Sequence, residues 1–344
     1  MKSFMMLILA LLSCASAFCQ QQVRIIGEVF GETHGYDMIY VYGKEVNNES
    51  VKLHNGHFEF TLPYKKGMVP MFYASYSLEA GGNGYVPFPL VIDGPGTVWL
   101  KNVQIAKGMN SGKWHGMASA ETYQQLEDSL DVLNADTASV VRLFKTYIKK
   151  YPNNYATVFA LNRKGKGLLN EKAFTQLYDL LTPGQRQSPA GQELNTFLVA
   201  LRKTAIGQKV EDFTLPDQYG EMQPFSRFRG KYVLIDFWAS WCGPCKASFT
   251  KMKAMYDSLQ GKPFEIYSIS IDKNRQAWIN ELERQQLPWK QGWDDHHLAN
   301  NYFSVYAVPS LYLIGPDGKV LMRETGFDAK EQGILDKLFS KGID

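Results

Sequence analysis

The sequence predicts a multidomain chain: an N-terminal antiparallel β-sandwich over residues 22–108, a helical linker region over 118–204, and a C-terminal α/β domain over 206–344. The last is expected to hold a mixed sheet flanked by helices. Three patterns carry this reading. In the first part apolar and polar residues alternate between turn signals. In the second, apolar residues recur at three- and four-residue spacing. In the third, continuous apolar runs alternate with amphipathic stretches.

Residues 1–20, "MKSFMMLILALLSCASAFCQ", place Lys2 before an apolar run from Phe4 to Leu12 and then small residues. That is the layout of a secretory signal, too short to span a bilayer as a permanent anchor. Two processing routes fit it. Small residues around Ala17 to Cys19 suit cleavage near Gln20, whereas Leu11-Leu12-Ser13-Cys14 resembles a lipobox in which Cys14 would become the lipidated first residue. Either route takes the protein out of the cytosol. Of the four cysteines only Cys242 and Cys245 lie clear of the signal, in a compartment where disulfides persist. Net charge is +3 with both signs interspersed, and no basic block marks a nucleic-acid or anionic-membrane partner. Membrane association would run only through a lipid anchor at Cys14.

Within 22–108, "SVKLHNGHFEF" sets Asn55-Gly56, the pair that supplies the positive φ angles of a tight hairpin turn, ahead of Phe58, Phe60 and Leu62. These alternate with Glu59 and Thr61, as a half-buried strand requires. In "PLVIDGPGTVWL", Asp93 to Gly96 form a turn between two apolar runs, and "RIIGEVF" and "MIYVYG" supply two further strands. The glycines at 81, 82 and 84 read as a loop and not a phosphate cradle, because no helix start follows them.

Over 118–204 the apolar sets Leu126, Leu130 and Leu133, then Val141, Phe144 and Ile148, then Leu194, Phe197 and Leu201 recur at helical spacing. Pro152, Pro183 and Pro189 separate the helices, and Ser188-Pro189 breaks one. From 206 onward, "KYVLIDFWA" reads as a strand buried on both faces. A helix follows from Gly243 to about Gln260 with Phe249, Met252, Tyr256 and Leu259 on its apolar face. "FEIYSISID" is a second buried strand and "RQAWINELERQQ" its helix. "PSLYLIGPDGKVLMRE" gives two strands about a Pro-Asp-Gly turn, and a last helix runs to the C-terminus.

The chemistry concentrates in "LIDFWASWCGPCKASFT". Cys242 stands where strand gives way to helix, and there the unpaired N–H groups and the macrodipole favour an anion. Its pKa should fall below the roughly 8.5 of a free cysteine. Pro244 fits the first helical turn, where its missing N–H costs nothing. Cys245 lies about one turn on, within the roughly 4.4–6.8 Å Cα separation that a disulfide can bridge. One sulfur is expected to be exposed and nucleophilic, the other covered and set to resolve a mixed disulfide. A static crosslink is the plain alternative. Zinc needs about four ligands, and there is no second Cys-x-x-Cys; Asp294, Asp295, His296 and His297 read as a polar loop and helix start. Haem attachment needs His where Lys246 stands. No metal or organic cofactor is required.

"DFWASWCGPCK" resembles the thioredoxin active-site signature almost residue for residue, and "VPS", Val308 to Ser310, resembles the cis-proline turn of that fold. The lead-in "IGQKVEDFTLPDQYGE" and the signal are similar to the TlpA/ResA-like branch, the envelope thiol-disulfide oxidoreductases. This resemblance covers about 206 to 344 and implies a thioredoxin-like C-terminal fold. The rest resembles, more weakly, N-terminal extensions carried by such proteins in some Gram-negative bacteria, which implies a periplasmic, cell-envelope location. By the same resemblance Cys242 attacks the substrate disulfide and Cys245 releases the product. Pro309 is expected to be cis beside the sulfurs, leaving the backbone at Val308 free to pair with an extended protein or peptide substrate; a trans strand-entry proline is the alternative. Trp241 would shield the pair, and Gly243 and Pro244 would complete the substrate-facing surface.

Asp236 matches the buried acid of thioredoxins proper. In an apolar strand its pKa should rise by desolvation, and it could take the proton of Cys245. A merely satisfied buried acid is the alternative. Many TlpA/ResA-like proteins carry Glu three residues after the second cysteine and Pro soon afterwards, where this chain has Ser248 and Thr250. Proton handling is therefore expected to fall to Asp236.

The resemblance favours a reductase fed by a membrane electron donor. Two rivals stand beside it. A peroxiredoxin-like peroxidase shares the lead-in but expects Thr and Pro before its cysteine, and "WASW" has neither. In the other, the β domain binds a ligand and the C-terminal lobe is only a scaffold.

Overall fold

The computed structural model describes residues 21–76, 87–133 and 136–326. The signal over 1–20, the glycines at 81, 82 and 84, and the helix expected at the C-terminus lie outside the described residues. Two compact units emerge, Met1–Asn134 with Asn153–Ala160, and Ala135–Pro152 with Leu161–Asp344.

The first unit holds strands β1 (Gln22–Val29), β2 (Met38–Gly43), β3 (Val46–Lys52), β4 (His57–Pro63), β5 (Met71–Ala74), β6 (Phe88–Pro89), β7 (Gly96–Val103) and β8 (Lys113–His115). They form two four-stranded sheets, ordered β4-β1-β7-β8 and β3-β2-β5-β6. One core draws on both: Val23, Ile25, Phe58 and Phe60 from the first sheet, Ile39, Val41 and Phe72 from the second. The first sheet is not purely antiparallel as expected, because β1 runs parallel to β7, whereas every pairing in the second is antiparallel. Turn signals report only strands joined by short loops, and these two are far apart in the chain.

Asn55 and Gly56 have the expected positive φ, 50° and 77°. The hairpin beyond them is a single bridge, His54 to His57. From there β3 pairs with β2, while β4 pairs with β1 along its whole length and turns Phe58, Phe60 and Leu62 into the core. Helices α1 (Ala118–Val132) and α3 (Tyr155–Ala160) belong to this unit, tied by Asn154, whose Oδ1 accepts the Ser119 hydroxyl at 2.8 Å. Between them in sequence lies α2 (Thr137–Lys150), a helix of the second unit. Its buried stripe is Val140, Phe144 and Ile148, one residue off the expected start at Val141.

The second unit adds α4 (Glu171–Asp179) and α5 (Pro189–Lys203). Ser188 ends one short helix and caps α5, its Oγ accepting Gly191 N–H at 3.3 Å, so the predicted break at Ser188-Pro189 is also a restart. A two-stranded ribbon, β9 (Thr214–Pro216) and β10 (Met222–Pro224), precedes the main sheet. That sheet contains β11 (Tyr232–Trp238), β12 (Phe264–Ser270), β13 (Lys290–Trp293), β14 (Ser310–Ile314) and β15 (Val320–Thr325), in the order β13-β12-β11-β14-β15. β11, β12 and β13 are parallel, and β14 is antiparallel to both its neighbours. The mixed sheet is as predicted. Helices α6 (Gly243–Ser258), α7 (Arg275–Gln285) and α8 (Leu298–Asn301) also belong to this unit.

β11 is buried throughout, and its side chains alternate between two apolar layers. Val233, Ile235 and Phe237 join Phe303 and Tyr312 in one layer. Leu234 and Trp238 join Cys245, Phe249 and Met252 of α6 in the other. Trp238 meets Phe249 edge-on with ring centroids 5.1 Å apart. Burying a side chain of this size stabilises by roughly 1.5–3 kcal/mol. This alternation points Asp236 at the cysteine layer.

Candidate active site

Cys242 is the residue that caps α6, with Pro244 in the first turn. Cys242 and Cys245 form a disulfide with Cα atoms 5.3 Å apart. Cys245 N–H donates to Cys242 Sγ at 3.1 Å, so the helix end addresses this sulfur directly. Cys242 is 4% exposed and Cys245 fully buried, a narrower opening than the sequence implies. The Val308–Pro309 peptide is cis, and the Val308 carbonyl oxygen lies 3.7 Å from Cys242 Sγ. Gly243 and Pro244 are exposed, and space beyond Gly243 is open. Trp241 is 67% exposed, so it stands out from the surface rather than lying over the sulfurs. A groove of about 970 Å³ runs beside it, with Trp293 and Lys273 among its walls.

Asp236 is fully buried, and burial pushes its carboxyl up to about 7, opposed by the Ser268 hydroxyl. Ser268 Oγ donates to Asp236 Oδ2 at 2.8 Å, and Oδ1 has no hydrogen-bond partner. Ser248 is also buried, but its hydroxyl donates to the Cys245 backbone carbonyl at 2.6 Å. It serves the helix backbone, as hydroxyls inside helices do.

Sequence reasoning missed the brace behind the loop. Asp272, just past the end of β12, accepts Ser240 N–H at 2.8 Å and the Ser240 hydroxyl at 2.7 Å, and Ser270 Oγ donates to it at 2.7 Å. Lys246 Nζ donates to the Ser240 carbonyl at 3.0 Å. Asp272 and Ser240 are 32 residues apart in the sequence and meet because β12 runs parallel beside β11, which leads into the cysteine loop. Asp294 lies ahead of α8 and its carboxylate accepts Leu298 and Ala299 N–H at 2.7 and 2.8 Å. Among the described residues no group of three His, Cys, Asp or Glu side chains is placed to hold a metal ion.

Residues 206–323 match the AhpC/TSA family. The C-terminal part of the chain is a thioredoxin-like domain of that class, built around a disulfide-forming cysteine pair. In sequence it is similar to thiol-disulfide oxidoreductases. It is 29% identical over 144 residues to the thiol-disulfide oxidoreductase ResA of Bacillus cereus, a match covering 41% of this chain and 83% of that protein. It is 28% identical over 132 residues to ResA of Bacillus subtilis, covering 38% and 74%. Among solved structures, a thiol-disulfide oxidoreductase from Bacteroides fragilis is 31% identical with a TM-score of 0.35, covering 38% of this chain and 99% of that one. The thioredoxin domain of a thiol-disulfide oxidoreductase from Bacteroides vulgatus is 26% identical with a TM-score of 0.36, covering 41% and 99%. Among the described residues no helix is long and apolar enough to cross a membrane.

Proposed function

We propose that the protein is an exported reductase of protein disulfides that works through Cys242 and Cys245. One observation supports this above the rest: Cys242 Sγ sits at the amino end of α6, 3.1 Å from the Cys245 N–H, with Cys245 close enough to bond it. The Cys242 thiolate attacks one sulfur of the substrate disulfide; that S–S bond breaks and the far sulfur leaves as a thiolate. Asp236 takes the proton of the Cys245 thiol. The Cys245 thiolate then attacks Cys242 Sγ, the intramolecular disulfide forms, and the second substrate sulfur leaves. Two electrons pass from the dithiol to the substrate. Trp241, Gly243, Pro244, Val308 and Pro309 form the surface on which the substrate lies.

An oxidising compartment returns the pair to the disulfide unless a partner supplies electrons, so a membrane-bound donor is part of the proposal. The location is the periplasmic side of the cell envelope, reached through the signal over 1–20, with a lipid anchor at Cys14 where the lipobox is processed. The domain plan is a β-sandwich over 22–108, a helical linker region over 118–204 and the redox domain over 206–344.

Insulin reduction by the full chain with dithiothreitol as donor tests the activity. Acceleration that Cys242→Ser abolishes supports it; no acceleration, or acceleration that survives the substitution, defeats it. Peroxide consumption would instead favour a peroxidase. Cys245→Ser should stall the mixed disulfide and retain the client covalently, and the redox state of the client then reports the direction of electron flow.

A further inference from the structure

Asp236 and Ser268 face each other directly in the parallel register of β11 and β12, so both point into the layer that holds the cysteines. Ser268 Oγ also accepts Trp289 Nε1–H at 2.8 Å. An indole nitrogen can only donate, so the chain has one direction: Trp289 to Ser268 to Asp236 Oδ2. Ser268 and Asp236 are 0% exposed and Trp289 is 4% exposed. The indole is held edge-on by Tyr256 and Phe249, with centroids 5.6 and 6.5 Å away. At the far end of the chain Oδ1 is buried and unpartnered.

We infer that Trp289 and Ser268 are positioning residues for the proton step. They hold the Ser268 hydrogen on Oδ2, so that the proton exchanged with Cys245 is carried by Oδ1. This rests on Asp236 being the base. With Trp289 occupying one lone pair of Ser268 Oγ, the hydroxyl hydrogen is turned to the carboxylate and stabilises its charged form. Among the described residues no charged side chain acts on Asp236, whose carboxyl responds to burial and to the Ser268 hydroxyl. On α6, Cys242 and Cys245 are joined in the disulfide and Lys246 binds the Ser240 carbonyl. On β12 and β14, Tyr267 and Tyr312 lie in the opposite layer. Glu265 is bonded to Tyr256, and Asp272 to Ser240.

The test is a carbon-13 carboxyl NMR titration of Asp236 in the oxidised full chain, where neither cysteine titrates. Ser268→Ala should move the midpoint upward by about one pH unit, the loss of a hydrogen bond to a charged group. Trp289→Phe should move it in the same direction by less, and Ser268→Thr, which keeps a hydroxyl, should restore it. An unchanged or lowered midpoint in Ser268→Ala overturns the inference. So does a shift in Ser268→Ala with none in Trp289→Phe, since the indole would then hold nothing; the latter variant keeps Ser268 and serves if the former fails to fold. The pH profile of product release should shift with the midpoint. A shifted midpoint with an unshifted profile would remove Asp236 as the base and leave the hydrogen-bond chain standing.

Discussion

Asp272 holds Ser240 with both carboxylate oxygens, Oδ2 on the backbone N–H at 2.8 Å and Oδ1 on the hydroxyl at 2.7 Å. Ser240 lies two residues before Cys242, so this carboxylate fixes the entry to the cysteine loop from a neighbouring strand end. Asp272→Ala should destabilise the oxidised protein by roughly 1–3 kcal/mol, because the buried Ser270 hydroxyl and the half-buried Ser240 donors lose their acceptor. It should also slow insulin reduction by roughly ten- to a hundredfold through loss of alignment. Asp272→Asn keeps one acceptor and should be milder in both. Urea unfolding and steady-state insulin turnover check this; a silent Asp272→Ala would show the brace to be dispensable.

Ser248 stands where the resemblance leads one to expect an acid, and its hydroxyl is spent on the Cys245 carbonyl. Asp236 has an unpartnered oxygen in the cysteine layer. Asp236→Asn should therefore slow release from the mixed disulfide by roughly a hundredfold at pH 7, within the usual range for loss of a general base. Ser248→Ala should change it little. Rapid-mixing measurement of release from a preformed mixed disulfide compares the two, and equal effects would sink the assignment.

What was legible in the chain was local. Cys242, Pro244 and Cys245 are neighbours whose helix-capping logic needs no tertiary information, and Asp236 shares their stretch. Ser268 and Trp289 were not legible. They are 32 and 53 residues from Asp236 along the sequence, and only strand register brings them together. Asp272 was hidden for the same reason. In the fold, Asn55-Gly56 set the turn angles correctly, but the partners of the two strands were chosen by burial of Phe58, Phe60 and Leu62 against β1. β13 went unseen because "KQGW" has no apolar run; its Gly292 leaves room for the Tyr267 ring, which a Cβ would strike.

Trp241 offers a test that separates chemistry from recognition. It is 67% exposed at the mouth of the cysteine loop, and large exposed aromatic side chains are frequent anchors of protein contacts. Trp241→Ala should leave reduction of a small disulfide such as Ellman's reagent unchanged. Reduction of insulin should fall roughly tenfold, the equivalent of one lost contact of about 1.4 kcal/mol. Parallel losses with both substrates would mean that Trp241 supports the thiol chemistry itself.

Burial of Asp236 also makes folding stability depend on pH. Its carboxyl moves from 3.8 to about 7 on folding, so the folded state binds a proton that the unfolded state has released throughout that window. Stability from this group is complete below pH 3.8 and declines as pH rises through about 7, with a total loss on the order of 4 kcal/mol. Between pH 5.5 and 8 the oxidised protein should lose on the order of 2 kcal/mol, and Asp236→Asn should lose much less. Urea unfolding of both proteins at the two pH values measures the difference. The same slope in both would mean that Asp236 is ionised throughout this range, and the carboxyl could not then exchange a proton with Cys245 near neutral pH.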